Sequence, residues 1–292
     1  MISIIIPVYN DADGIHSTLE SLTEHTPTAL QCEVIVVDNG SSDDTPEIVS
    51  EYAADHDHVS LVYETDTQSS YAARNTGLEC ASGDVICFLD ADVTVTEGWL
   101  ETALERMHET GAAYLAPDVR HELPDDPTLT GRYNETTGFP NEAFLESHHY
   151  APTACLFVRR ELLEAVGDFD SRLISGGDME FGNRVYAAGY DLVYAHDVVV
   201  HHPVRNSFRS LFERNVRIGR GHCQLQEHYP ERYGRVGIPP RPSGINEQQI
   251  DGSLSMADRV LFRLLGVAMT GARGVGYALE CLGVWSRRLR GR

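Results

Sequence analysis

Asp90 and Asp92 close the stretch Asp84-Val-Ile-Cys-Phe-Leu-Asp-Ala-Asp92 and are the side chains best placed for chemistry. A short apolar run that ends in two carboxylates one residue apart reads as a buried strand whose carboxyl end can hold a hard divalent cation. Ligands bind at that end of the strands in open α/β sheets. If the backbone stays extended, this spacing turns both side chains to one face, where Mg2+ or Mn2+ could be shared. The plainer alternative is a strand that ends in a solvated turn.

The elements needed to position this pair can be read from the pattern. Ser3–Val8 and Glu33–Val37 are β-branched runs that read as strands, Ser60–Tyr63 reads as a third, weaker one and Asp84–Leu89 as the fourth. Helical spacing is expected over Gly14–Glu24, over a segment that Pro46 starts with Thr45 as N-cap, and over Tyr71–Cys80. This alternation predicts a parallel, doubly wound sheet. Tyr9-Asn10-Asp11, Asp38-Asn39-Gly40 and Asp90-Ala91-Asp92 would then converge on one rim.

Further on, Trp99–Gly111 reads as a helix and Tyr114–Pro117 as a strand. Asp118–Ser147 reads as a long polar loop of the functional kind. Thr153–Val158 is expected as a strand, and Arg160–Val166 and Asp178–Ala188 as helices. Leu192–Ala195 and Val198–His201 are expected as two short strands, followed by a helix over Phe208–Arg220 and a polar linker over Gln224–Gly252.

Five segments in this order resemble a family-2 glycosyltransferase with the GT-A fold, over roughly residues 1–205. They are Ile-Ile-Ile-Pro-Val-Tyr-Asn10, Val-Ile-Val-Val-Asp-Asn-Gly-Ser41, Ala-Arg-Asn-Thr-Gly77, Phe-Leu-Asp-Ala-Asp92 and Gly-Gly-Asp-Met-Glu-Phe-Gly-Asn-Arg184. The resemblance implies a mixed, mainly parallel Rossmann-like sheet flanked by helices, with a C-terminal helical segment added. Residues 1–115 would be the nucleotide-sugar half, 116–205 the acceptor half and 206–292 the extension. The implied activity is inverting transfer of a sugar from a nucleotide diphosphate donor, with a metal on the diphosphate.

By the same resemblance Asp38 reads the base, since a carboxylate can accept the ring N–H of uracil. Pro7, Tyr9 and Asn10 floor the nucleotide pocket and Asp11 reaches the ribose. Arg74 pairs with a phosphate oxygen or with Asp90. Asp90 and Asp92 take Mn2+ or Mg2+, with Asp92 as the direct ligand. His202, next to His201 and before Pro203, completes the shell. Asp178 is the general base, with Glu180 in reserve.

Arg184 either ties the base loop to the diphosphate side or forms a surface salt bridge. Bland roles exist for the others: a turn for Asp38 and Asp11, a helix surface for Arg74, an N-cap for Asp178 and a surface for the histidines. Two positions depart from the family pattern. Asn39 stands where a second acid is usual, and Gly177 where Glu is common.

The charge balance is extreme. The chain carries 44 acidic and 23 basic residues, a formal net charge of −21, and every basic one is Arg. At molar salt the Debye length falls to about 3 Å and such self-repulsion is screened, so adaptation to a salt-rich cytosol is expected. A GC-rich genome is the alternative source of the missing lysines. Nucleic acid is disfavoured as a partner. Six scattered cysteines suit reduced core thiols, and the opening Met-Ile-Ser-Ile-Ile-Ile-Pro reads as a core strand rather than a secretory signal.

From Leu254 to Arg292, seven Arg face only Asp258 and Glu280, and charges interrupt every apolar run. A spanning helix is not expected. An amphipathic segment on an anionic membrane surface is, with packing on the catalytic domain as the alternative. The chain is thus expected to be a cytoplasmic enzyme, peripheral to the membrane, that glycosylates a lipid-linked or glycan acceptor in surface glycoprotein or exopolysaccharide synthesis. The alternatives are a sugar-nucleotide-binding protein without catalysis and a nucleotidyltransferase. The latter would need a Gly-rich basic loop near the first strand, which the sequence lacks.

Overall fold

The computed structural model describes residues 1–27, 30–240 and 255–290. The first part alternates β1 (Ile2–Val8), α1 (Ala12–His25), β2 (Cys32–Asp38), α2 (Thr45–Asp55), β3 (Val59–Tyr63), α3 (Ser70–Cys80) and β4 (Val85–Leu89). Next come β5 (Thr94–Val95), α4 (Trp99–Thr110), β6 (Tyr114–Glu122), α5 (Leu129–Thr136), α6 (Asn141–His148), β7 (Cys155–Arg159) and α7 (Arg160–Val166). The chain continues through α8 (Gly177–Ala187), β8 (Leu192–Pro203), α9 (Phe208–His228), α10 (Pro230–Tyr233) and α11 (Met256–Arg290).

All strands join one sheet in the order β3-β2-β1-β4-β7-β6-β8-β5. From β3 to β4 neighbours are parallel, whereas β7 is antiparallel to both β4 and β6, and β5 to β8. The mixed, mainly parallel α/β sheet expected from the sequence is therefore present. β1 is buried on both faces by Ile2, Ile4, Ile5, Ile6 and Val8, as a central parallel strand requires. α1 covers one face with Ile15, Leu19 and Leu22 at helical spacing. α3 lies unusually close on the other: a Cβ at Gly77 would collide with Ile5 and press on Val37.

Several boundaries differ from expectation for identifiable reasons. Thr45 is inside α2 rather than its cap, because Asp43 takes both its N–H (3.2 Å) and its hydroxyl (2.6 Å). The polar stretch 118–147 is not a loop. β6 continues to Glu122, Thr128 caps α5 by accepting from Gly131 N–H, and α6 follows. The two strands expected over 192–201 are one, β8. α9 runs on to His228, into the start of the expected linker, whose residues 241–252 lie outside the described ones.

Contacts divide the chain into two compact units. One comprises Met1–Arg120, Phe139–Arg172 and Gly177–Pro203, and the other His121–Gly138, Leu173–Gly176 and Val204–Arg292. The second is built on α9 and α11. Their backbones meet at Gly219 and Gly276, where a Cβ would strike the carbonyls of Arg273 and Val216 respectively. Below this crossing, Cys223, Tyr277, Cys281 and Val284 form a small core, with the two thiol sulfurs 3.1 Å apart and unbridged. Phe262 and Met269 pack with Tyr133 of α5 and Leu211.

Because the obstacle at Gly276 is backbone, the helices must separate to admit a side chain. Gly276→Val is therefore expected to destabilise by about 3 kcal/mol or more. Thermal denaturation followed by circular dichroism checks this, and an unchanged midpoint would contradict the crossing described.

Candidate functional site

β1, β2 and β4 deliver their last residues to one rim of the first unit. Asn10, at the end of β1, adopts a left-handed conformation with φ of 49°. Its N–H donates to Ser41 Oγ (2.8 Å) and its Oδ1 accepts from Ser42 N–H (2.7 Å), which fastens it to the loop after β2. Asp11 caps α1, accepting from Gly14 N–H at 3.2 Å. Burial and the neighbouring Asp92 push its carboxyl above the usual range. Tyr9 is half exposed and Pro7 partly buried.

Asp38 is 2 % exposed. Its Oδ2 accepts from Gly40 and Ser41 N–H, each at 3.1 Å, while Oδ1 is buried with no hydrogen-bond partner among the described residues. A buried carboxylate oxygen without a donor is costly. An incoming N–H donor would relieve it. Next to it, Asn39 uses Nδ2 to donate to the carbonyls of Glu64 and Thr67, both at 2.9 Å. A carboxylate could not donate there, so the departure from the family pattern has a local reason.

Three residues of the Ala-Arg-Asn-Thr-Gly77 segment are used structurally in different directions. Arg74 is buried (3 % exposed) and its Nη2 reaches Asp90 Oδ1 at 2.5 Å. Asp90 is one of the two partners expected for it. Asn75 exchanges two hydrogen bonds with the backbone of Phe169 (2.8 and 3.1 Å). Gly77 permits the close approach to β1.

The backbone at Asp90–Asp92 is not extended, contrary to expectation. β4 stops at Leu89, and Val93 N–H donates to Asp90 C=O at 3.2 Å to close a turn. Buried Thr18 of α1 pins that turn through the carbonyls of Ala91 (2.9 Å) and Val93 (2.8 Å). The turn still brings the carboxylates together. Asp90, Asp92 and His202 offer ligand atoms that all lie within 4.8 Å of one another.

His202 Nδ1 is 2.9 Å from the carbonyl of Pro203, which can only accept, so Nδ1 carries the proton. Nε2, the nitrogen on the other side of the ring, lies 3.5 Å from Asp92 Oδ1 and would be the one to meet a metal. Metal-bound histidines are held in this way, by a backbone carbonyl on the far nitrogen. Two hard carboxylates and one oriented imidazole fit Mn2+ or Mg2+, and the imidazole favours Mn2+.

Asp178 lies in the first turn of α8, with Oδ1 accepting from Met179 N–H at 2.9 Å. Burial raises its carboxyl above the ordinary range, Arg74 pulls it down and Asp90 pushes it up, so all three share one electrostatic environment. Glu180 is not equivalent. It is 1 % exposed and clamped by Arg184, whose guanidinium also serves the carbonyls of Val166, Gly167 and Asp168. Arg184 therefore ties α8 to the end of α7, and Glu180 is committed to that tie. His201 is on β8, opposite Thr94 of β5.

Residues 3–167 match the sequence profile of glycosyl transferase family 2, more than half of the chain. The chain is a member of that family. This transferase is 39 % identical over 224 residues to glycosyltransferase AglE of Haloferax volcanii, covering 77 % of this chain and 73 % of that protein. It is 29 % identical over 238 residues to the pre-mycofactocin glycosyltransferase of Mycobacterium tuberculosis, covering 79 % of this chain but only 48 % of that one. Among solved structures, the Pyrobaculum calidifontis mannosyltransferase PcManGT, in complex with GDP-Man and Mn2+, superposes with a TM-score of 0.59 at 21 % identity. That superposition covers 97 % of this transferase and 79 % of PcManGT. S. aureus TarS 1-349 in complex with UDP-GlcNAc gives 0.56 at 17 % identity, covering 96 % and 90 %. The transferase has the GT-A fold.

One feature of this site had no signal in the sequence. A Cβ at Gly177 would meet the ring of Tyr71 at 2.7 Å. That ring is buried, stacks on Phe169 and lies under the Arg74 guanidinium, so it has nowhere to swing. Tyr71 occupies the space that a side chain at Gly177 would need. Gly177→Glu is expected to cost at least about 2 kcal/mol, and Tyr71→Ala in the same chain to recover part of it. A double-mutant cycle of melting midpoints measures the coupling; additive effects would refute the steric account.

Proposed function

We propose that the transferase moves a sugar from a UDP- or GDP-sugar to a hydroxyl of a lipid-linked or glycan acceptor, with inversion. The observation that carries this reading is the Asp90, Asp92 and His202 cluster beside Arg74, with Asp178 in the same field. Asp90, Asp92 and His202 would hold Mn2+ or Mg2+, which when bound supplies Lewis-acid neutralisation of the departing diphosphate. Asp38 Oδ1 would accept from the base, and Asn10 and Tyr9 would border the nucleotide. Arg74 holds Asp90 in place through Oδ1.

Asp178 would take the acceptor hydroxyl's proton as the new bond forms. Its raised carboxyl suits a general base, because the ideal base titrates near the working pH. Support for an active enzyme comes from the two departures, Asn39 and Gly177, since each has a structural reason that leaves the rim carboxylates in place. The acidic composition supports work at high salt, and the acceptor proposed is part of a surface glycan or exopolysaccharide. No described helix is long and apolar enough to cross a membrane, and a peripheral position on the cytoplasmic face, through α11, completes the proposal.

With Mn2+ and a UDP- or GDP-sugar, the wild type is expected to release nucleoside diphosphate, and Asp92→Ala to lower that at least 100-fold. Asp178→Asn should retain donor binding and lose transfer. The wild-type rate is expected to fall as pH drops through the raised carboxyl value, because the protonated acid cannot accept a proton. The native state also prefers that acid protonated, so at neutral pH the ionised carboxylate lowers stability. Asp178→Asn should therefore melt higher near pH 7 and lose that advantage in acid. Transfer by Asp178→Asn at the wild-type rate would remove the base assignment.

A further inference from the structure

We infer, building on the peripheral membrane contact just proposed, that the outward face of α11 is a docking face that lies flat in the headgroup region of an anionic lipid membrane. α11 has two opposed seams. One, containing Phe262, Met269, Gly276 and Val284, is buried. The other carries Val260, Leu264, Val267, Leu282, Trp285 and Leu289 at spacings of three and four residues, between 48 % and 74 % exposed. Gly271, Gly274 and Ala278 fill the turns between, so no polar side chain interrupts it. A surface helix normally shows the reverse pattern, with its charges outward.

The charges explain which partner fits. Both acids of the helix are turned inward: Asp258 pairs with Arg132 at 3.2 Å and Glu280 with Arg220 at 3.0 Å. In a chain with 44 acidic residues, a 35-residue helix that exposes no carboxylate on its outward face marks the one kind of surface an anionic headgroup layer can approach. Exposed Arg263 and Arg288 border one side, with guanidinium groups suited to phosphate. Leu261, Val275 and Leu279, each at least 41 % exposed, widen the other. The strip is then broader than the narrow seam of a two-helix coil and has the form of an interfacial helix.

Much of the basic charge is not outward. Arg273 donates to Asn215 (2.7 Å), and Arg287 pairs with Glu227 (2.9 Å) and Glu280 (3.5 Å). Attachment should therefore come chiefly from apolar burial, which molar salt does not screen, with the bordering Arg giving the preference for anionic lipid.

The test is flotation of the full chain with phosphatidylglycerol or phosphatidylcholine vesicles, in moderate and in molar KCl. Of the two tryptophans, Trp99 is 1 % exposed and Trp285 48 %, so a change in emission reports on α11. Flotation with phosphatidylglycerol is expected in both salts, preferred over phosphatidylcholine at moderate salt, with a blue shift and quenching by brominated lipid. Leu264→Gln with Leu282→Gln should lower flotation at least tenfold and leave transfer to a water-soluble acceptor unchanged. Wild type that stays unbound overturns the inference, as does equal flotation with both lipids at moderate salt. So does a dimer, seen by light scattering, that the same substitutions dissociate. A chain that floats as expected but does not turn over donor would sink only the catalytic reading.

Discussion

The pair between the Arg74 guanidinium and Asp90 is the interaction on which the site depends. Asp11 feels Asp92, Asp178 feels Asp90, and Asp90 and Asp92 lie side by side, so these carboxylates repel one another. Arg74 is buried among them and bonded to Asp90 at 2.5 Å. Asp90 keeps 34 % of its side-chain exposure, so losing it strands the buried Arg74 charge, at a cost below the ~3–5 kcal/mol of a fully buried pair. Burial raises the Asp11 and Asp178 carboxyls above the ordinary range, and Asp92 and Asp90 add to this in turn. The rim carries more negative charge than its own residues neutralise, which is the electrostatic condition for taking up a cation.

The local folding of each segment follows from that arrangement. Thr18 and the Asp90–Val93 hydrogen bond shape a turn that aims both aspartates at His202. Pro203 fixes the imidazole tautomer. Tyr71 carries the guanidinium on one side and fills the space over Gly177 on the other, which sets the first turn of α8 and hence Asp178. Arg184 and Glu180 then anchor α8 to the end of α7. Each support is a neutral or paired group, so the rim's unbalanced charge is confined to the carboxylates that face it.

Much of this was legible in the sequence. β1, β2 and β4 are β-branched runs with polar ends, and their order as parallel neighbours follows from alternation with α1 and α3. Asp90, Asp92 and His202 were picked out by residue type and family pattern, and they do meet. The failures have physical causes. The 118–147 stretch is rich in Pro, Thr and acids, a composition that suits a loop, yet Thr128 and helical packing organise α5 and α6 from it. The turn at Asp90 depends on Thr18, which lies far away in sequence. The fit of Tyr71 over Gly177 is a steric relation between distant residues and leaves no local trace. The Arg content of residues 254–292 does not say which of them are already paired, as Arg273 and Arg287 are.

The central claim is that Asp90, Asp92 and His202 together hold one divalent cation with a nucleoside diphosphate. Titration of Mn2+ into the protein with saturating UDP or GDP, followed by the loss of free Mn2+ in electron paramagnetic resonance, tests it most directly. One Mn2+ per wild-type chain is predicted, with affinity weakened about tenfold or more in His202→Ala and the nucleotide required for tight uptake. Equal affinity in the wild type and His202→Ala, or no uptake by the wild type, would contradict the account.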